Sequence, residues 1–366
     1  MKNNGFIEEF ALFASLSVSM IGVGIFYAPA IVAKYVGADS WISAIIAGLA
    51  ICLILFCIYA IVKLNKYKDI TIILKDTYGG ILGTVISIVY SVVIIVVLSF
   101  SLRVFSEVIT MYLLVNTPTE AVIITFIFIG MYLSRGGLAN VVHFNEIAFW
   151  VMFLPLAIIL VLTLPEADFK NLLPIVSSPI KNYFASSFEM LFLFNGFSMA
   201  FILLPYVREK DKISPILRRS SLFVGLFYVI IFVLVSATLS SAQTAESIFP
   251  TITMLQSITS RSGFLEKWDS LVMALWVIFY FTSFANIYYF ASYILKEALK
   301  IEDIRTSSML YVPIVYLIAM IPKSIIEVRN LKFGYLRIGF IATIIVVIGI
   351  TLLLSYIKKR RVQSEE

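Results

Sequence analysis

The chain has 366 residues, of which 61% are apolar and 14% are charged, and its net charge is +6. Soluble domains run at about 45–50% apolar and about 25% charged residues, and a soluble core cannot bury this much apolar surface. This composition excludes most soluble enzymes, nucleic-acid-binding proteins and disordered chains. Because a membrane-spanning helix takes about 20 residues, the length predicts an all-α polytopic membrane protein of about ten helices.

Ten apolar runs are long enough to be such helices, and we number them spans one to ten. They cover residues 8–34, 40–62, 81–113, 119–134, 145–163, 184–206, 216–240, 268–298, 307–322 and 336–357. Each run is continuously apolar, whereas the strands of a membrane barrel alternate. The whole chain, 1–366, is therefore predicted to be a single membrane domain that lies in lipid and binds no nucleic acid.

The distribution of lysine and arginine predicts the orientation. If the N-terminus faces the cytoplasm, 18 basic residues fall in cytoplasmic segments and nine in external ones. Cytoplasmic loops carry the excess of lysine and arginine in membrane proteins. We therefore expect both termini on the cytoplasmic side, as an even number of spans requires.

Two spans are interrupted near their middle. Span one contains Gly22-Val23-Gly24, and span six contains Asn195-Gly196. Each interruption lies in the first span of one half of the chain, if the halves are pseudo-repeats at about 8–163 and 184–358. Paired broken helices are typical of inverted-repeat transporters, whose half-helix N-termini present N–H groups to a substrate carboxylate. Close helix packing at small residues is the alternative interpretation.

Several local patterns point in order along the chain to one family. They are Met20–Phe26 with Pro29 and Trp41, Arg103–Glu107, Leu113-Leu114, Thr117-Pro118, Gly136-Gly137, Asn171–Pro174, Phe194–Phe197, Pro250–Ile252, Gln256-Ser257 and Phe281–Phe284. Together they resemble the membrane B-subunits of endospore germination receptors, the spore germination permease branch of the amino acid–polyamine–organocation transporter superfamily.

This resemblance implies a LeuT-like fold of five-plus-five inverted repeats with helices one and six broken. It also implies residence in the inner spore membrane or cell membrane, and a complex with a larger A-subunit and a lipoprotein C-subunit. The expected role is to sense a small germinant, typically an amino acid, and to help trigger germination. The chain departs from many relatives, which carry a glutamate soon after the span-six glycine, where this chain has Phe197-Ser198.

The broken helices supply most of the predicted binding residues. Gly22, Val23 and Gly24 are expected to offer backbone donors to a carboxylate. The facing wall is predicted to be formed by Asn195, Gly196, Phe197 and Ser198. The presumed pocket contains no ionised side chain, which favours a small neutral amino acid.

Spans three and eight supply the remaining candidates. Val93 and Val97 share a helical face, four residues apart, and form either an apolar slot or ordinary core. Thr282 and Ser283 offer hydroxyls to a ligand or cation, or bond back to their own helix. Tyr280 either caps the pocket or packs.

Arg103 and Glu107, four residues apart in span three, form either a structural ion pair or an outer gate, because ionisable groups within spans are costly and usually functional. The sequence shows no catalytic set, metal cluster or phosphate-binding glycine loop, so we expect no enzyme activity, cofactor or metal. Besides a germinant sensor, two hypotheses remain open: an amino-acid/proton symporter, and a scaffold whose pocket is vestigial.

Overall fold

A computed structural model describes residues 6–22, 24–262, 268–323, 327 and 335–365, with side chains for 6–22, 24–194, 196–257, 273–323, 327 and 338–360. Helices account for nearly all of these residues. Extended pairing within them is limited to one isolated parallel bridge, between Ile7 and Val207. The prediction of an all-α chain is confirmed.

The helices follow the ten predicted spans. They are span one, Glu9–Met20 and Gly24–Val36; span two, Ser40–Leu64; span three, Gly80–Tyr112; span four, Thr119–Ser134; span five, Gly137–Thr163; span six, Ile180–Leu191, Phe192–Met199 and Ala200–Leu203; span seven, Ile213–Leu239; span eight, Trp268–Leu299; span nine, Ile304–Met320; and span ten, Tyr335–Ile344, Ile345–Ile350 and Thr351–Glu365. Connecting helices are Ile70–Tyr78, Ser241–Glu246 and Pro250–Ser262.

Length and hydropathy alone qualify six helical segments of the described chain as membrane spans, or seven if the bent span six is counted. One of the six, Gly24–Leu64, contains the corner at Gly37, whose φ of +57° suits glycine. It therefore comprises the second half of span one together with span two. The first half of span one, span four and span nine are shorter apolar helices.

Span five begins at Gly137, eight residues before its predicted start at residue 145. The apolar run was a poor guide here because the first turns carry polar side chains. His143 is exposed and pairs with Glu146, with 3.0 Å between Nδ1 and Oε2. Asn145 is buried and exchanges two hydrogen bonds, of 2.9 and 3.0 Å, with Asn286 of span eight.

Helices at equal positions in the two halves of the chain are neighbours. Span two packs on span seven, span three on span eight, and span four on span nine. The backbones of spans two and seven approach closely at two glycines, where a Cβ on Gly48 would lie 3.2 Å from the Cα of Gly225. This pairing is the arrangement expected of two repeats related by a twofold axis. The repeat boundaries, about 8–163 and 184–358, stay a prediction.

Spans one and six are joined at both ends. The Ile7 N–H donates to Tyr206 O at 2.8 Å, and Arg208 N–H donates to Ile7 O at 3.1 Å. We call this side of the molecule, which also carries residues 65–79 and the end of span ten, the terminal face. At the other side, the Asp39 carboxylate accepts a 2.7 Å hydrogen bond from the Tyr183 hydroxyl. The two broken helices are therefore held in register.

Asp39 itself is fully buried at the corner between spans one and two. Its carboxylate also accepts hydrogen bonds from Val176 N–H at 2.9 Å, Ser177 N–H at 2.8 Å and the Ser177 hydroxyl at 3.0 Å. Burial acts to raise the pKa of this carboxyl, but the hydrogen bonds from Tyr183, Ser177 and Val176 outweigh burial and lower the pKa below its usual range.

Candidate functional site

Span one is open at its break. The first half ends at Met20, Ile21 is extended with φ −105° and ψ 107°, and the helix resumes at Gly24. A broken helix leaves carbonyl groups without intrahelical partners. The Ser283 hydroxyl of span eight meets two of them, the carbonyl oxygens of Val18, at 2.9 Å, and of Ile21. Span eight thus caps the first half of span one.

Span six is tight at its break. The chain forms a 3₁₀ segment over Phe192–Met199, with a kink at Phe194, and the two parts of the span are bent by 49°. A Cβ on Gly196 would lie only 1.9 Å from the carbonyl oxygen of Ser19. Only glycine permits this approach, so the two breaks meet backbone to backbone at Gly196 and Ser19.

A cavity lies beside this meeting point, and we call it the central cavity. It is lined by Ser19, Gly22, Gly24, Tyr27, Val97, Leu98, Ser101, Phe192, Leu193, Tyr280, Ser283, Phe284 and Ile287. Spans one, three, six and eight therefore converge on it. Its volume of about 30 Å³ holds one or two water molecules and no amino acid. In this conformation the central cavity is therefore closed to an amino acid.

Leu193 keeps the central cavity small. Its side chain lies beside the break of span one, where a Cβ added to Gly24 would be 2.6 Å from Leu193 Cδ2. At Gly22, by contrast, an added Cβ would meet no atom within 4 Å. The cavity therefore has open space at Gly22 and a flexible apolar wall at Leu193.

Two buried tyrosine hydroxyls at the break lack a hydrogen bond of normal geometry within the described chain. They belong to Tyr228 of span seven, which is close to the Gly22 N–H, and to Tyr280, which is close to Ser101. The Tyr280 ring stacks on Phe105 with 3.9 Å between the ring centroids. Buried polar groups are almost always partnered. Of the two tyrosines, Tyr280 lines the central cavity, whereas Tyr228 lies outside its lining.

The described lining contains no lysine, arginine, histidine or carboxylate. Arg103 and Glu107 form an ion pair with 2.6 Å between Nη2 and Oε1, and Arg103 Nη1 lies 3.8 Å from Met320 Sδ of span nine. This pair therefore lies on the side of span three that faces span nine and does not line the cavity. Its role as a gate stays a prediction.

The structure separates the predicted binding residues into three groups. Those that line the central cavity are Gly22, Gly24, Val97, Tyr280 and Ser283. Those that lie outside its lining are Val93, Gly196, Phe197, Ser198 and Thr282. Val23 and the side chain of Asn195 fall outside the described residues.

Three of the predicted residues that lie outside the cavity lining contact other parts of the protein. The Phe197 ring lies 6.3 Å from that of Phe340 in span ten, and the Ser198 hydroxyl accepts a 2.8 Å hydrogen bond from Tyr90. Thr282 donates to its own helix at Ile278 O, at 2.8 Å. These side chains shape span six and span eight rather than the cavity wall in this conformation.

Eight lining residues were not predicted from the sequence, namely Ser19, Tyr27, Leu98, Ser101, Phe192, Leu193, Phe284 and Ile287. Ser101 follows Val97 by four residues, so the same helical-face argument that selected Val97 would have found it. Leu193 and Ser19 gave no such signal, because their position depends on how the two breaks pack together.

In the described part of the chain, ten spans, two of them broken, pack around the central cavity, and this arrangement defines the class of fold. The fold is shared with a Na⁺-coupled sialic acid symporter in a substrate-bound outward-open state, at TM-score 0.67 and 11% identity over 94% of this chain and 79% of that one. It is also shared with Mhp1, a nucleobase-cation-symport-1 family transporter in a closed conformation, at TM-score 0.68 and 13% identity over 94% and 77%. The predicted LeuT-like fold is confirmed.

The sequence specifies the family within this fold. Residues 7–328 match the family model for spore germination protein, the spore permease family. The chain is 26% identical to Spore germination protein A2 of Bacillus subtilis (strain 168) over 76% of its length and 77% of the relative's. It is 23% identical to Spore germination protein GerQB of Bacillus cereus over 81% of each chain, and 21% identical to Spore germination protein B2 of Bacillus subtilis over 94% of each.

The chain therefore belongs to the spore permease family of germination proteins, as its sequence patterns indicated, and is an integral multi-pass membrane protein. This is a permease-type family rather than a family of enzymes.

Proposed function

We propose that the protein is the membrane subunit of a spore germinant receptor, and that it binds a small neutral amino acid in the central cavity to help trigger germination. In this proposal it lies in the inner spore membrane with both termini in the cytoplasm, and it works with a receptor A-subunit and a lipoprotein C-subunit. It needs no cofactor and performs no catalysis.

The observation that carries the proposal is the chemistry of the central cavity at the break of span one. The helix that restarts at Gly24 begins at the wall of the cavity, which Gly24 lines. Ile25 N–H donates to Gly22 O at 3.3 Å, and the other N–H groups of a first helical turn have no partner within the helix. A carboxylate is favoured there by hydrogen bonding and by the helix dipole. The Tyr280 and Ser101 hydroxyls add polar contacts.

Apolar lining residues favour a ligand with an uncharged side chain. Val97, Leu98 and Leu193 are apolar members of the lining, and the described lining offers no charge to pair with an acidic or basic side chain. Burying an unpaired charge would be costly. We therefore expect alanine, valine or leucine to bind better than glutamate or lysine.

The closed cavity also suits a sensor. Since a volume of about 30 Å³ excludes an amino acid, binding requires that Leu193 and the two breaks move apart. A ligand that binds only the opened form shifts the population toward it. That shift is the signal that a partner subunit would receive.

An amino-acid/proton symporter is the second candidate, favoured by the fold shared with two cation-coupled symporters. One experiment separates the candidates. The purified chain is tested for binding of radiolabelled alanine, valine, leucine, glutamate and lysine, and the same set is tested for uptake into proteoliposomes with and without a proton gradient.

Binding of a neutral amino acid without uptake supports the sensor, whereas concentrative uptake would overturn it as the sole function. If no amino acid binds specifically, the hypothesis of a scaffold with a vestigial pocket remains. A second test uses spores: if deletion of the gene leaves every germinant response intact, the receptor role is wrong.

A further inference from the structure

A second recess lies on the membrane-facing side of the protein, between the ends of spans two and ten at the terminal face. We call it the basic groove. It is lined by Ala60, Lys63, Leu64, Lys66, Gly349, Leu352, Leu353, Tyr356 and Lys359, and its volume is about 820 Å³. Apolar and aromatic side chains form its walls, and three lysines lie at its rim. It is separate from the central cavity and shares no residue with it.

The three lysines of the groove carry positive charge that no carboxylate of the described side chains neutralises. Lys63, Lys66 and Lys359 are exposed, and none has a carboxylate within ion-pair distance among the described residues. Other lysines on the terminal face are paired: Lys68 lies 2.7 Å from Asp76, and Lys212 lies 3.2 Å from Glu9. The basic groove is therefore attractive to an anion.

The walls of the groove are held in place by specific contacts. Asn65 of span two donates to the Ser355 hydroxyl of span ten at 2.9 Å. Span ten is locally a π-helix over Ile345–Ile350, and the carbonyl of Val346 accepts hydrogen bonds from the hydroxyls of Tyr78, at 2.9 Å, and Thr351, at 3.1 Å. Such π-helical turns occur frequently at functional sites.

Gly349 leaves space at the base of the groove. It lies in the π-helical turn, and a Cβ added to it would meet no protein atom within 4 Å. From Gly349 to Tyr356 the apolar wall rises about 10 Å along the helix axis. This matches part of an acyl chain, whereas a partner's transmembrane helix would need a wall of about 30 Å.

We propose that the basic groove binds an anionic phospholipid of the surrounding bilayer. The headgroup phosphate lies among Lys63, Lys66 and Lys359, and an acyl chain lies between spans two and ten over Gly349. Basic pockets at the ends of membrane helices attract anionic headgroups in this way. The site is independent of germinant binding in the central cavity.

The test uses the purified full-length chain titrated with phosphatidylglycerol and, separately, with phosphatidylcholine, and counts bound lipids by native mass spectrometry. The first variant is Lys63→Gln/Lys66→Gln/Lys359→Gln. Its control is Arg218→Gln/Arg219→Gln/Lys300→Gln, which removes three exposed charges from the same face outside the groove. The groove variant is expected to bind phosphatidylglycerol about 100-fold more weakly, because each lysine near an anionic surface contributes about a fivefold factor.

A second pair of variants tests the acyl-chain position. Gly349→Leu fills the groove without meeting a protein atom, and Gly339→Leu adds the same side chain to the same span outside the groove, also into open space. We expect Gly349→Leu to release phosphatidylglycerol and Gly339→Leu to retain it, with both proteins unfolding at the wild-type temperature.

Equal losses in the groove and control variants would overturn the proposal, because they would show non-specific attraction to the terminal face. Equal binding of phosphatidylcholine and phosphatidylglycerol would overturn it as well. If the groove variants keep their lipid but no longer co-purify with the co-expressed A-subunit, the occupant is a protein segment and the proposal is wrong.

Discussion

The breaks of spans one and six look alike in sequence and differ in the structure. At span one the chain opens: Gly22 has free space, and Ser283 caps the exposed carbonyls. At span six the chain tightens into a 3₁₀ segment whose glycine presses on the backbone of Ser19. Glycine therefore has opposite effects at the two breaks: it leaves open space at Gly22 and lets another helix approach at Gly196.

The largest effect is expected from adding one methyl group at the tight break. Gly196→Ala places a Cβ 1.9 Å from Ser19 O, where no flexible side chain can give way. We expect a loss of at least about 3 kcal/mol, the upper end of overpacking costs, measured as the unfolding temperature in detergent. Gly22→Ala is the matched control at the open break, and we expect it to cost less than about 1 kcal/mol. Equal destabilisation by both variants would contradict the comparison.

A bulky side chain at the open break should prevent ligand binding without unfolding the protein. Gly24→Leu meets the side chain of Leu193, whose Cδ2, Cγ and Cβ lie 2.6, 3.0 and 3.1 Å from the added Cβ, and no backbone atom is among these neighbours. The new side chain fills the central cavity, so amino-acid affinity should fall by at least about tenfold, while the protein still inserts and purifies as the wild type does.

Leu193→Ala is the companion variant, because it enlarges the cavity from the side of span six. We expect it to retain binding and to shift preference toward a larger neutral amino acid. If Gly24→Leu binds like the wild type, the ligand site lies elsewhere.

An intermediate effect is expected at Asp39, where the two broken spans meet on the side opposite the terminal face. The pKa of Asp39 is lowered in the folded protein, so its contribution to stability is complete above the unfolded pKa of about 3.9 and is lost as pH falls through the lower folded value. The unfolding temperature should fall with acidification below about pH 4.

Asp39→Asn should remove that part of the pH dependence. It should also lower the free energy of unfolding at pH 7 by about 1–3 kcal/mol, because the donors of Tyr183, Ser177 and Val176 lose the carboxylate that accepts their hydrogen bonds. Asp76→Asn, which removes a surface pair with Lys68, is the control and should cost at most about 1 kcal/mol. Identical pH profiles for the wild type and Asp39→Asn would refute the assignment.

The smallest effects come from single hydroxyls, one at each break. Ser283→Ala removes the cap on Val18 O and Ile21 O and should cost about 1–2 kcal/mol with weaker amino-acid binding. Ser198→Ala removes only the bond from Tyr90 and should cost about 1 kcal/mol with binding unchanged. If the Ser198 variant weakens binding more than the Ser283 variant does, span six contributes the wall that the sequence predicts.

Much of the fold was predictable from sequence because a membrane imposes a simple rule. Each apolar run had to form a helix whose backbone groups are satisfied internally, so ten runs predicted ten spans and two glycine-containing interruptions predicted two breaks. The start of span five was missed because the polar residues Asn140 and His143 lie in its first turns and interrupt the apolar pattern there. Hydropathy reports the side chains that face lipid, not the extent of the helix.

The composition and the order of motifs determined the class, the family and the two broken helices, because these depend on local properties of the chain. Tertiary structure alone decided which residues face the cavity. Leu193, rather than Phe197 or Ser198, lies beside the break of span one. That choice follows from the close approach of Gly196 to Ser19 and the bend of span six, which set the rotation of its side chains through contacts between residues about 170 positions apart in the sequence.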